Sequence, residues 1–436
     1  LLSLPSVQFF LKKRWHPELQ RGIFWYYLCR DFSPEFLGIR NDLSQCYFSF
    51  RIVLFIIPIE ERDLILYDFS FHAFSSVSWL TFFSSNPESN IQNPFMTSSA
   101  PHLPSVDIII PHFKRRDMLE RCLDSLAETL YPEMGIIVVD NGGKQAGLVF
   151  MVKRYRNARL VRLEENRGYA GGCNEGLKHS DADYVVFMND DTRHDPLWLD
   201  RLVSAALEDE RTGALQPKIL SLKAFEKGKQ VFDYAGAAGG MIDRLGYPWA
   251  LGRTFSAIEM DQGQYDNGRE IFWASGVAMF VNRSLAEGLG GFDGDFFMQM
   301  EEIDLSWRMK LAGYSIRSVP SSIVLHEGGA SLPGGSADKI RFNHRNNISM
   351  LMKNLGGARL LWVLPIRFLL EFAAALFYLT QFPGSLKKSG AVWRAISENI
   401  RQIPPIIKKR RAVQKMRRIR DSVIFRDSPL TLLFRY

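Results

Sequence analysis

Tyr184-Val185-Val186-Phe187-Met188-Asn189-Asp190-Asp191 runs an apolar pentad straight into two adjacent carboxylates. Five apolar residues bounded in this way predict a strand buried on both faces of a parallel sheet. Open α/β sheets bind ligands beyond the carboxyl ends of their strands, which is where Asp190 and Asp191 fall. Neighbouring acids repel, so packing alone gives little reason for the pair. A divalent cation bridging to a phosphate would relieve that repulsion. The competing reading is a solvated turn that ends a strand.

Working outward, the flanking sequence has the same texture. Val106-Asp107-Ile108-Ile109-Ile110-Pro111 reads as a buried strand stopped by proline. Apolar residues at helical spacing follow from Asp117 to Leu130. Gly135–Asp140 is a second strand, broken by Asn141-Gly142-Gly143, and a helix is expected near Ala146–Tyr155. Ala158–Leu163 is a third strand and Asp183–Met188 a fourth. Strands alternating with helices predict βαβ units and an α/β fold with a mostly parallel central sheet flanked by helices. Parallel strands place the turns after Pro111, Asp140, Leu163 and Met188 on one edge, where they can share a ligand.

Downstream, residues 213–335 mix short strands and glycine-rich turns with one strong helix, Glu301–Ala312. Another helix is expected near Ala337–Leu355. Leu360 to Phe382 is apolar apart from Arg367 and Glu371, which are four apart and can pair on one helix face. It reads either as a membrane-embedded or monotopic helix, or as an ordinary buried one. Ile406 to Arg420 carries eight basic residues among Ile, Val and Met. That pattern suits a basic amphipathic helix on lipid headgroups, or a solvated charged helix.

Bulk composition sets outer bounds. The 436 residues are 46% apolar and 23% charged, which supports a sizeable core and excludes global disorder. The net charge of +7 is unevenly spread: from Arg359 onward there are 16 Lys+Arg against 4 Asp+Glu, so the remainder is mildly acidic. Such a basic tail suits an anionic membrane surface or nucleic acid. Four scattered cysteines argue against a zinc site or a disulfide framework and fit a reducing compartment. Residues 1–95 hold none of the 14 methionines but 14 of the 32 phenylalanines. Met96 stands just before the first strand, so residues 1–95 are expected to be an upstream, non-native or disordered extension without a fold of its own. The alternative is a Phe-rich membrane-interacting segment. Its longest uncharged apolar run, Ile52 to Ile59, falls far short of the roughly 20 residues a span needs.

The candidate chemistry is spread along the chain. Asp140 can accept hydrogen bonds from a base or ribose, or simply shape the Asn-Gly turn. Asn166-Arg167-Gly168-Tyr169-Ala170-Gly171-Gly172-Cys173-Asn174 lets backbone approach a bound group, and its N–H groups at a helix start could face phosphate. Glu301, Glu302 and Asp304 open a helix, where acids are favoured in any case. Asp304 and Arg308 are four apart and can pair, the reading the residues themselves favour for Asp304.

The ordered set resembles the family-2 inverting glycosyltransferases of GT-A-type fold, in their rhamnosyltransferase-like branch. Its marks are Ile108-Ile109-Ile110-Pro111, Val138-Val139-Asp140-Asn141-Gly142, the glycine run, Asn189-Asp190-Asp191, Ala274-Ser275-Gly276-Val277-Ala278-Met279 and Gly291-Phe292-Asp293. Phe297 to Leu305 and His326-Glu327-Gly328-Gly329-Ala330-Ser331 complete it. The resemblance spans roughly residues 105–350. It implies a nucleotide-sugar-binding half at 104–212 and an acceptor and catalytic half at 213–357; the residues beyond it, by their own composition, are expected to form a helical, basic, membrane-associated tail at 358–436.

The resemblance also implies roles. Asp140 would hold the nucleotide base; Pro111, Gly171, Asn174, Asp190 and Asp304 join it as substrate-binding positions. Asp191 and His326 would hold Mg²⁺ or Mn²⁺. Glu301 and Glu302 form the acidic pair, with Glu302 the catalytic base. The pattern departs from the family at Glu302, where Asp is more frequent, at Asn189, where some members carry an acid, and at Cys173, where Asn is frequent. The implied activity moves a sugar from a nucleoside diphosphate sugar, dTDP-rhamnose or a UDP-sugar, to a glycan or lipid-linked hydroxyl at the cytoplasmic face of a membrane. Attachment there would be peripheral or monotopic. No Gln-x-x-Arg-Trp run is present, which favours one sugar per event. A nucleotidyltransferase would want glycine directly after the first strand, and Pro111-His112-Phe113-Lys114-Arg115 has none. A membrane or nucleic-acid adaptor leaves the strand-end acids unexplained, so nucleic acid is not the expected partner.

Overall fold

The computed structural model describes residues 48–56, 65–73, 103–254, 257–328, 335–380 and 384–431. The chain divides into two units, Leu1–Ser98 and Ser99–Tyr436. In the first, Phe48–Ile56 and Ile65–Ala73 pair as an antiparallel hairpin, a regular element that the sequence reading did not anticipate. The rest of the expectation for residues 1–95 lies outside the described residues.

The second unit is built on one eight-stranded sheet. Its strands are β1 (Val106–His112), β2 (Met134–Asn141), β3 (Ala158–Leu163), β4 (Tyr184–Met188), β5 (Thr192–His194), β6 (Thr212–Ser221), β7 (Ala278–Asn282) and β8 (Ser315–His326). The spatial order is β3-β2-β1-β4-β7-β6-β8-β5. The first four strands are parallel, as are β6 and β8. β7 runs antiparallel to both its neighbours, and β5 to β8. The sheet is therefore mixed, with the parallel half where the βαβ pattern was read.

Burial follows from the residue types. Ile108, Ile109, Ile110, Val138, Val186 and Phe187 are fully buried, since helices cover both faces of these strands. Helix α1 (Arg116–Ala127) buries Met118, Leu119, Cys122, Leu123 and Leu126, the residues whose spacing marked it as amphipathic. Helices α2 (Gly168–Lys178) and α3 (Trp198–Leu207) complete the parallel half. Past the sheet come α4 (Glu301–Ala312), α5 (Ala337–Asn354), α6 (Gly357–Leu379), α7 (Ser385–Arg401) and α8 (Ile403–Met416).

The carboxyl-terminal helices are not a detached tail. Val392, Ala395, Ile406 and Val413 are buried, and Asn399 accepts a hydrogen bond from Ser349 of α5 at 2.6 Å. Helix α6 has an inverted character. Its inner stripe, Val363, Arg367, Glu371 and Ala375, is buried with an Arg367–Glu371 ion pair at 2.8 Å. Its outer stripe is apolar and open, with Leu361 80% and Leu369 70% exposed. Ordinary surface helices have the opposite arrangement.

Candidate active site

The strand-end acids are held by neighbours from distant segments. Asp190 lies 2.7 Å from Nδ1 of buried His112 at the end of β1, and Gln145 contacts the other ring nitrogen at 2.9 Å. Burial raises the Asp190 pKa, His112 opposes the rise, and the charge on Asp191 adds to it. Asp191 is delivered to His326 by strand pairing: β8 runs antiparallel to β5 with His326 opposite Thr192. Asp191 Oδ1 is 3.1 Å from His326 Nε2, and Asp233 Oδ1 is 2.9 Å from Nδ1. Burial disfavours the imidazolium, but Asp191 and Asp233 outweigh it and push the His326 pKa up to about 10. Burial also works against ionised Asp191, yet His326 and nearby backbone amides hold its pKa below the usual value.

This donor set suits a hard divalent ion. Adjacent ligands around an octahedral ion with bonds near 2.1 Å sit about 3 Å apart, and Asp191 Oδ1 and His326 Nε2 match that spacing. Asp233 on the far ring nitrogen would fix the tautomer and ring orientation of a ligating histidine. Among the described residues no group of three or more His, Cys, Asp or Glu is gathered for a metal. Two protein donors, with the rest from phosphate and water, is how Mg²⁺-type ions are commonly held.

The acidic pair enters from a strained loop. Phe297, Gln299 and Met300 all have positive φ (64°, 71° and 73°), and Glu301 and Glu302 follow directly. Bulky residues rarely adopt this conformation, at a cost of order 1–2 kcal/mol each. Asn346 of α5 supports the loop, its amide donating to the carbonyls of Phe296, Met298 and Gln299 at 2.7–3.0 Å. Gly168 closes the other side. Its φ is +69°, and a Cβ there would stand 2.1 Å from Phe297 O. The Ala170 N–H donates to that same oxygen at 3.2 Å. The glycine run thus buttresses the loop that presents Glu301 and Glu302, and the Ala170 amide is not turned toward a phosphate. Asn346→Ala should leave the Met298 and Gln299 carbonyls without this donor, while Phe296 O keeps Arg345 at 3.0 Å, and should lower activity about tenfold or more, with a stability loss of about 1–3 kcal/mol. Wild-type turnover by a variant with that stability loss would show that the strained loop is not needed.

Glu301 and Glu302 open into a cavity of about 670 Å³, and Oε2 of each is buried without a hydrogen-bond partner. Burial, then the charge of Glu302, drives the Glu301 pKa well above the usual carboxylate range. Burial lifts Glu302 to about 7, partly opposed by the backbone N–H groups of Glu302 and Ile303 at the helix start. One acid therefore keeps its proton near neutrality while its neighbour gives it up, an arrangement suited to proton transfer. Asn189 lines the cavity too, and its amide is 3.2 Å from His326 Nε2. It joins the Asp191–His326 pair to the acidic pair.

The remaining expected positions are used differently. Asp140 is buried at the end of β2; it accepts from the Gly143 N–H at 3.0 Å and lies 3.8 Å from Arg162 Nε. Pro111 packs where a Cβ on Gly172 would stand 2.8 Å away, and a Cβ on Gly171 would strike Arg167. Asn174 is clamped to Phe292, donating to its carbonyl and accepting from its N–H, both at 2.8 Å. Asp304 is fully buried against Arg308 at 2.9 Å, Lys353 at 3.0 Å and Asn354 at 2.8 Å. Neither Asn174 nor Asp304 lines the cavity. Their side chains are engaged in internal bonds, as the Asp304–Arg308 spacing suggested. Sequence reading missed Asp233 and Asn346, whose partners lie 93 and about 50 residues away; no local pattern marks either.

Comparison with known proteins now bears on this geometry. The sequence profile described as Glycosyl transferase family 2 matches residues 107–232. An N-acetylglucosaminyl-diphospho-decaprenol L-rhamnosyltransferase of Mycobacterium tuberculosis H37Rv is 30% identical over 284 residues, covering 62% of this chain and 91% of the relative. The chain belongs to the family-2 glycosyltransferases. Within that family it is rhamnosyltransferase-like, and it is a transferase enzyme. The O-antigen biosynthesis protein RfbC of Myxococcus xanthus is 29% identical over 52% of this chain and 18% of that protein. Among solved structures, GalNAc-T7 with UDP, GalNAc and Mn²⁺ aligns at TM-score 0.47 and 14% identity, over 70% of this chain and 59% of that one. Staphylococcus aureus TarS 1–349 with UDP-GlcNAc aligns at TM-score 0.46 and 15% identity, over 74% and 89%.

Proposed function

We propose that this family-2 glycosyltransferase moves a sugar with inversion from a nucleoside diphosphate sugar, dTDP-rhamnose or a UDP-sugar, to a hydroxyl of a lipid-linked or surface-glycan acceptor. The observation that carries the reading is Glu302. Its carboxylate is buried in the cavity, has one oxygen without a partner, and titrates near neutrality. Such a group is poised to take the acceptor's proton as its oxygen attacks the anomeric carbon from the face opposite the leaving diphosphate. Glu301, protonated beside it, can donate a hydrogen bond to substrate without competing for that proton. Asp191 and His326 would hold Mg²⁺ or Mn²⁺, which when bound supplies charge neutralisation for the departing diphosphate. Asp140, at the same sheet edge, is the candidate for the nucleotide base. The direct test is Glu302→Gln assayed for transfer and for donor binding.

The rhamnosyltransferase relative is named for a diphospho-decaprenol acceptor, and an acceptor of that kind would require the enzyme at a membrane, here proposed to be the cytoplasmic face. Support comes from the inverted helix α6, the one described helix long and apolar enough to cross a membrane. Its open stripe continues onto α7, since Phe372 meets Trp393 edge-on at 5.6 Å between centroids. On α7, exposed Leu386, Trp393 and Ile400 repeat every seven residues, each followed by exposed Lys387, Arg394 or Arg401. An apolar stripe edged by cations is the signature of an interfacial helix on anionic lipid. Deleting residues 384–436 would also strip Val392 and Val413 from the core, so point variants test the idea better. Replacing Leu386, Trp393 and Ile400 together by Ser should lower partition onto phosphatidylglycerol vesicles at least about tenfold. Unchanged cosedimentation would refute this surface.

A further inference from the structure

Two cations stand in the cavity wall without an acidic partner among the described residues. Arg253 and Lys339 both line it. The Arg253 guanidinium lies 4.1 Å, and the Lys339 ammonium 5.6 Å, from the centre of one ring, Tyr234. The charges are therefore no more than about 10 Å apart, about one Debye length at 0.1 M salt. Arg253 Nε is buried and has no hydrogen-bond partner. Among the described residues no carboxylate pairs with either cation. A solvated surface lysine and arginine would explain exposure alone. It does not explain a guanidinium that lines the cavity with its Nε buried and unbonded among the described residues, on a wall that also carries the acids Glu301 and Glu302.

We propose that Arg253 and Lys339, set against Tyr234, bind the diphosphate of a lipid-linked acceptor. This rests on the glycosyltransferase reading and sharpens its acceptor. The proton that Glu302 removes belongs to the acceptor hydroxyl, so the acceptor occupies this cavity. The donor's diphosphate is drawn to Asp191 and His326, neither of which lines it. An anion facing Arg253 and Lys339 is then the acceptor's own. Helix α6 supplies the remaining clue. Arg367 on its inner stripe lines the cavity while its outer stripe is open and apolar, so one helix separates an anion-binding chamber from a lipid-compatible surface. A ligand with a diphosphate head and a prenyl chain has both chemistries. The planar guanidinium can meet two phosphate oxygens at once, with the ammonium as a point charge beside it.

The test uses the full chain and two probes, geranyl diphosphate and UDP with Mn²⁺, each titrated by the fluorescence of Trp249 and Trp273 in the cavity wall. The double variant Arg253→Gln/Lys339→Gln should bind geranyl diphosphate 10- to 100-fold more weakly, with UDP affinity within twofold of wild type. The charge-conserving Arg253→Lys/Lys339→Arg should recover most of the loss, which a folding defect would not allow. Wild-type geranyl diphosphate affinity in the Gln variant, or no binding by the wild type, overturns the clamp. An equal fall in UDP affinity overturns the acceptor assignment and gives the cations to the donor. Failure of the wild type to bind UDP with Mn²⁺ would instead strike the proposed UDP-sugar donor, and the geranyl diphosphate arm then decides the clamp by itself.

Discussion

Glu302→Gln is expected to lower sugar transfer by about 10²–10⁴-fold, the usual contribution of a positioned base, while donor affinity stays near wild type. The amide fills the same space and keeps the helix-start contacts, but cannot accept the acceptor's proton. The pH dependence of the wild type follows from the same group. If Glu302 is the base proposed above, transfer requires its carboxylate, and activity should rise with pH along an acid limb centred near 7. The variant's residual rate should lose that limb.

Stability carries an independent sign. The folded-state pKa of Glu302 is raised from 4.5 to about 7, so folding disfavours its charged form. Below about pH 4.5 the group is protonated in both states and costs nothing. Between 4.5 and 7 the unfolded chain releases the proton while the folded chain keeps it, so stability falls through that window. Above 7 the penalty is complete, on the order of 3 kcal/mol. Glu302→Gln should therefore be more stable than wild type at pH 8 and show little difference at pH 4. Loss of transfer together with a gain in stability is what an active-site acid gives, since its strain serves function. A variant that transfers at near wild-type rate would mean that the base lies elsewhere. A variant equally inactive but less stable at pH 8 would mean that the carboxylate serves packing.

The parallel half of the sheet was legible because β1, β2 and β4 carry short apolar runs, Ile108–Ile110, Ile136–Val139 and Val185–Met188, ended by Pro111, Asp140 and Asn189. Composition alone forces such runs into a sheet covered on both faces. The long strand β8 was not. Pro320 and four serines, Ser315, Ser318, Ser321 and Ser322, interrupt its pattern, and its register with β6 slips between Val319 and Ile323. Proline demotes a segment as a strand when read locally. Yet β8 is what brings His326 to Asp191. The order of motifs could name the partners without showing the strand that joins them. Arg367 and Glu371 were read correctly as a pair, but pairing is symmetric with respect to direction. Tertiary packing decides that the charged stripe faces inward: the Tyr247 ring centre is 3.7 Å from the Arg367 guanidinium, which also donates to Leu245 O at 3.0 Å, and Glu371 meets His344. Asp233 and Asn346 act through contacts at long sequence separation, where no periodicity reports on them.

Asp191→Ala should abolish the metal-dependent part of both transfer and donor hydrolysis. Two protein donors are available, Asp191 Oδ1 and His326 Nε2. Removing one leaves a lone histidine, and the anionic member of the pair is gone. Losing an outer partner of a metal ligand typically costs 10–100-fold in metal affinity; losing the ligand itself should cost more than that. The fold should survive, because His326 retains Asp233 at 2.9 Å and the β8–β5 pairing is made by backbone. Calorimetric titration of UDP in the presence and absence of Mn²⁺ separates the possibilities. Wild type should bind UDP more tightly with Mn²⁺, and Asp191→Ala should show no such difference. A retained Mn²⁺ effect in a folded Asp191→Ala would move the site to Asp190, which His112 at present occupies. The two substitutions also divide the reaction. Glu302→Gln should keep Mn²⁺-dependent UDP binding and lose only transfer, whereas Asp191→Ala should lose the binding on which transfer depends. The loss in a double variant should not exceed that of Asp191→Ala by the full effect of Glu302→Gln, because a base has no proton to take until the donor is in place.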